Sequence, residues 1–170
     1  MKKLLGLIAG GMLAAAGQAQ AAGIERITNA GGGLILQGVA VPAGADMLYL
    51  SGQLASPLDP AKQASPATLT IADLGDTKTQ TISTLTKIKG ILAARGYKMS
   101  DVIKLTVFVA GDPKLGGRMD FAGMNEGFKM FFGSPDNPTT VARSTVQVAA
   151  LAAPAFLVEI EATAAKMPAR

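Results

Sequence analysis

Thr139-Thr-Val-Ala-Arg-Ser-Thr-Val-Gln-Val148, followed closely by Ala155-Phe-Leu-Val-Glu-Ile-Glu-Ala162, is the part of this chain that decides its architecture. Both runs are short, rich in β-branched residues and bounded by turn-forming residues, so they read as two strands. Each holds a charge among small or branched neighbours, Arg143 in the first and Glu159 in the second. A charge in such a setting is costly to bury without a partner, which makes these two positions the expected seat of a site. Successive strand residues point to opposite faces. On that parity Ala142, Ser144, Val146 and Val148 share one face of the first strand, with Arg143, Thr145 and Gln147 on the other. Phe156, Val158, Ile160 and Ala162 form the apolar face of the second, with Leu157, Glu159 and Glu161 pointing away. If helices cover the more apolar faces, Arg143 and Glu159 are expected on one and the same uncovered surface.

Working outward, the chain supplies those helices. Asp76 and Thr77 offer N-caps for a helix with Ile82, Leu85, Ile88, Ile91 and Leu92 at helical spacing, closed by Gly96. Val102 to Val109 sets Ile103, Leu105, Val107 and Val109 against Lys104 and Thr106, a third strand. Asp120 caps a second helix whose Phe121, Met124, Phe128 and Phe131 read as core, and Gly133 and Pro135 end it. Upstream, Leu34 to Val39 and Met47 to Ser51 flank a Pro42/Gly44 turn and predict an antiparallel hairpin. Between that hairpin and the first helix lies Pro57 to Gly75, longer than most connections, which predicts a functional lid or a mobile insertion. The fold class is α/β (α+β), a mixed sheet with two helices on one face. Two helices leave the other face bare, and an apolar patch of that size predicts self-association, with a site between subunits.

Composition limits the chemistry. The 170 residues include no His, no Cys and no Trp. That removes thiol nucleophiles, Ser-His-Asp arrangements and the usual zinc ligand sets, so no metal is expected. Met1-Lys-Lys3, the apolar run Leu4 to Ala16 and Gln18-Ala-Gln-Ala21 form the charged, hydrophobic and Ala-x-Ala regions of a secretory signal peptide over residues 1–21. Residues 22–170 are then one domain, periplasmic or secreted, with no membrane attachment after cleavage. Loss of Lys2 and Lys3 lowers the formal charge from +4 to +2, and no basic run with interleaved aromatics is present, so no nucleic-acid partner is expected.

The segments Leu48-Tyr-Leu-Ser-Gly-Gln53, Asp101 to Val109, Asp120-Phe-Ala-Gly-Met-Asn125 with Phe131-Phe132, Ala142-Arg-Ser-Thr-Val-Gln-Val148 and Val158-Glu-Ile-Glu-Ala162 occur in the order found in the Rid family, the reactive-intermediate deaminases or YjgF-like proteins, and the chain resembles that family from about Leu34 to Ala164. The resemblance implies a chorismate-mutase-like fold assembled as a homotrimer with ligand clefts between neighbouring subunits. It implies hydrolysis of enamines and 2-imino acids to 2-keto acids and ammonia, with no cofactor. On the matching positions, Arg143 holds the substrate carboxylate and Glu159 positions water, while Ser51, Gly52 and Asn125 are further cleft residues. Thr145 stands where the best-known deaminase subgroup has cysteine, and Ile35 where many family deaminases have tyrosine. A second class of function stays open beside hydrolysis: a non-catalytic, carboxylate-binding or chaperone-like trimer of the same fold.

Overall fold

The structure is a computed structural model, and it describes residues 23–64 and 68–169; the expected signal peptide lies outside the described residues. Among the described residues, six strands and three α-helices follow one another: β1 (Glu25–Ile27), β2 (Gly38–Ala40), β3 (Asp46–Leu54), α1 (Ile71–Leu74), α2 (Thr77–Ala94), β4 (Val102–Ala110), α3 (Phe121–Lys129), β5 (Ala142–Val148) and β6 (Val158–Lys166). The main sheet has the order β3-β6-β4-β5 and is mixed, since β4 and β5 are parallel and the other neighbours antiparallel. A parallel pair needs a crossover, and α3 supplies it.

Both long helices are capped as the sequence predicts. Asp76 accepts from Thr79 N at 2.9 Å and Asp120 from Gly123 N at 2.8 Å. Gly96 takes φ 71° behind α2, a left-handed turn that an L side chain rarely adopts. The helices lie on one face of the sheet. Leu85, Ile88 and Leu92 of α2 and Met124 and Phe128 of α3 are packed against Leu105, Val107 and Val109 of β4 and Val158, Ile160 and Ala162 of β6. Gly127 lets the helices approach closely, for a Cβ there would stand 2.8 Å from Thr81 Cβ and 3.0 Å from Lys78 O. Phe132, not singled out by periodicity, is buried and stacks on Phe128 at 4.8 Å, whereas Phe121, expected in the core, is exposed.

The expected hairpin between Leu34–Val39 and Met47–Ser51 does not form. β2 pairs instead with β1, a strand absent from the sequence reading, and Leu36 bridges to Ala142 at the β5 edge through Leu36 N to Val141 O at 3.0 Å. β3 lies at the opposite edge, so residues 34–40 are carried out of its reach. Arg26 fastens this arrangement: its guanidinium donates to Thr140 O (2.7 Å), Ser100 O (2.6 Å) and Val102 O (3.0 Å), and burial lowers its pKa. Arg26→Met leaves those carbonyls short of donors and is expected to cost about 2 kcal/mol, read as a lower denaturant midpoint at unchanged slope.

The described parts of the 57–75 stretch are docked. Lys62 pairs with Asp73, Thr70 and Asp73 cap α1, and Leu58 N donates to Asp73 O at 2.9 Å. Leu69 and Leu74 pack with Leu54, Ala55, Leu151, Ala155 and Phe156 in a small second core. Fully buried Gln80 ties this layer to the main one, donating to Gly75 O and Ala155 O and accepting from Leu157 N.

Candidate active site

The register fixes where each charge points. On β5, Arg143 and Thr145 are level with Leu105 and Val107, whose side chains are buried beneath the helices. On β6, Glu159 is level with Phe108 and Glu161 with Thr106, on the face without helices. Arg143 and Glu159 of one protomer therefore project from opposite faces, and the expectation of a shared surface is corrected. The parity within each strand holds; the choice of covered face for β5 does not. Val146, assigned to the covered side, is 44% exposed, and Arg143 takes the helix side because its stem and planar head lie against an aromatic ring.

Two separate clusters result. The first is built by β5 and α3. The Arg143 guanidinium sits 4.4 Å from the centre of the Phe128 ring, donates to Asn125 Oδ1 at 2.7 Å and touches Met124 Sδ at 3.7 Å. No carboxylate pairs with it among the described residues. Burial lowers its pKa without bringing it near neutrality, since a guanidinium stays charged in proteins. Two residues along β5, the Thr145 hydroxyl is buried with no hydrogen-bond partner. A half-buried cation held by a neutral amide and a ring, beside an unmet hydroxyl, is suited to an anionic ligand. Farther along the strand, Gln147 accepts from Met119 N (3.0 Å) and donates to Gly117 O (2.8 Å), fixing the approach to α3.

The second cluster lies on the open face, where β3 meets β6. Pairing slips between Leu50 and Gln53, a bulge at Ser51 and Gly52. The Glu159 carboxylate rests over Gly52 and makes no side-chain hydrogen bond or ion pair among the described residues. Ser51 lines a recess of about 300 Å³ with Tyr49, Lys104, Thr106, Glu161 and Thr163. On the same strand, Tyr49 is 73% exposed and Met47, on the same parity, 36%. The residues singled out in the sequence thus fall in two places, Arg143, Asn125 and Thr145 on the helix side and Glu159, Ser51 and Gly52 at the open face, a separation that strand parity alone did not foresee. Sequence reasoning also missed Met124 and Phe128 as supports of Arg143, for nothing in α3 marks a core ring as a cation platform.

A mixed sheet with two helices on one face and polar side chains gathered in two separate places defines a class: small α+β proteins with a four-stranded main sheet. Residues 38–166 match the family described as Endoribonuclease L-PSP. The chain is 40% identical over 127 residues to a RutC family protein of Pyrococcus horikoshii, spanning 75% of this chain and 84% of that one. It is 35% identical over 121 residues to the 2-iminobutanoate/2-iminopropanoate deaminase of Escherichia coli, with 71% and 80% covered. The crystal structure of E. coli TdcF with bound serine superposes with a TM-score of 0.53 at 35% identity, covering 84% of this chain and 97% of that one. The chain belongs to this family, the YjgF-like or Rid proteins.

Proposed function

We propose that the protein hydrolyses reactive 2-imino acids, and the enamines from which they form, to 2-keto acids and ammonia. The observation that carries this reading is the Arg143 half-site: a half-buried guanidinium with Asn125 on one side, no counter-ion among the described residues, and the unmet Thr145 hydroxyl two residues along β5. Relatives named as imine deaminases at 35% identity support the reaction class. Arg143 grips the substrate carboxylate, leaving the imine carbon free for attack. Glu159 takes a proton from a water that adds to that carbon and passes it to the imine nitrogen, then relays the carbinolamine hydroxyl proton to the same nitrogen. The resulting carbinolamine expels ammonia as the carbon–nitrogen bond breaks, and the hydroxyl becomes the keto oxygen. Ser51 and Gly52 wall the Glu159 side.

Because Arg143 and Glu159 point apart within one protomer, the reading requires a second copy to bring one protomer's Glu159 to its neighbour's Arg143. A homotrimer through the open sheet faces meets that need, and the exposed Tyr49, Met47 and Val146 of this face support it. Light scattering is expected to give three times the mass of the protomer. Val146→Glu, which puts a charge into that face, is expected to give the single-protomer mass and to lose activity with it. A protomer-sized wild type overturns the shared site.

Generating 2-iminopropanoate in situ with an amino-acid oxidase and following pyruvate release tests the activity. Release no faster than the uncatalysed rate sinks it. The second reading, carboxylate binding without turnover, is favoured by Ile35: this position carries a side chain packed on the main core and no hydroxyl. Thermal stabilisation by keto acids with no imine hydrolysis selects that reading. Export, read from residues 1–21, belongs to the proposal and implies a substrate formed outside the cytoplasm.

A further inference from the structure

We propose that Gly52 is a positioning residue for Glu159: the missing side chain at the β3 bulge is the slot in which the carboxylate lies. The inference rests on the role given to Glu159 above and goes beyond it. A Cβ at position 52 would run into Glu159 Oε1 and stand 2.7 Å from Cδ and 3.0 Å from Cγ, and these are the three nearest atoms it meets. Glycine is not needed here for the backbone. Gly52 does not have a positive φ, unlike the turn glycines Gly75 (86°) and Gly96 (71°), so alanine suits its main chain. The conflict is with one side chain alone.

Three observations join. Nothing else holds the carboxylate, since Glu159 makes no side-chain hydrogen bond or ion pair among the described residues. The bulge between Leu50 and Gln53 breaks the even β3–β6 register beside Glu159, and an irregularity of this kind re-aims the strand at that point. Ser51, at the same bulge, opens onto the recess shared with Tyr49 and Thr106. The bulge and the glycine together set the height of the carboxylate above the sheet, and hence the spot at which it can meet a water.

The test compares Gly52→Ala, Glu159→Asp, Glu159→Gln and the double variant Gly52→Ala/Glu159→Asp by imine hydrolysis and thermal unfolding. Displacing a catalytic group by about 1 Å is expected to lower kcat about 100-fold in Gly52→Ala with KM changed less than about 2-fold, and Glu159→Asp, one methylene shorter, about 10-fold. In the alanine background the shorter acid fits, so the double variant is expected to exceed Gly52→Ala by about 10-fold in kcat, a rescue that a merely structural role for Gly52 does not produce. Wild-type kcat in Gly52→Ala, or no rescue, overturns the positioning role. Full activity in Glu159→Gln instead overturns the role of Glu159 itself. If Gly52→Ala does not fold, Gly52→Ala/Glu159→Ala is expected to fold because the obstructing atoms are gone; failure of that double variant also overturns the assignment.

Discussion

Arg143→Ala is expected to lower kcat/KM for 2-iminopropanoate by about 1,000-fold, the size of losing a charge-assisted, bidentate grip on a carboxylate together with the orientation it provides. Arg143→Lys keeps the charge but not the fork, and loses the planar contact with the Phe128 ring at 4.4 Å. It is expected to recover less than about a tenth of the wild-type value. The fold tolerates both changes, since Arg143 makes no ion pair among the described residues and its polar contacts are with Asn125 and Met124. Stopped assays on freshly generated imine, with far-ultraviolet circular dichroism as the folding control, read the result. A KM increase with unchanged kcat would mean that Arg143 binds without orienting.

Glu159→Gln is expected to lower kcat about 100- to 1,000-fold with KM nearly constant, the range for a general base acting on water. The more telling result comes from mixing. Because Arg143 and Glu159 stand on opposite faces of the sheet, Arg143→Ala and Glu159→Gln protomers carry complementary intact halves. Unfolded together and refolded, equal amounts of the two inactive variants are expected to regain about one quarter of wild-type activity, since random assortment in a ring pairs an intact Arg143 with an intact Glu159 at one junction in four. Each variant refolded alone stays inactive. No recovery in the mixture refutes a site divided between copies.

Much of this was legible in the sequence, for reasons that can be traced to particular residues. Asp76, Gly96 and Asp120 mark helix ends because caps and left-handed glycines are local chemistry, independent of what packs nearby. The alternation in Val102–Val109 announced a strand with one buried face. Arg143 and Glu159 were visible because charges in strands are conspicuous. What failed was non-local. β1 is three residues long and held by Arg26, whose three acceptors lie 74 to 114 residues away, so no window around it carries a signal. The same holds for Leu36, drawn to the β5 edge by a bond to Val141. The face of β5 was misjudged because a count of apolar residues favours Ala142, Ser144, Val146 and Val148, whereas the arginine stem and the threonine methyl satisfy a helix-covered edge as well. A strand at the rim of a sheet is governed weakly by apolarity, and Arg143 stands on such a strand.

The described parts of the segment between Pro57 and Gly75 carry their own capping box, their own Lys62–Asp73 pair and a separate apolar nucleus with Phe156. An attachment of this kind behaves as a cassette. An outward side chain such as Leu58 can be exchanged or labelled at little cost to the main sheet, provided the Lys62–Asp73 pair, Leu69, Leu74 and the Gln80 anchor are left alone.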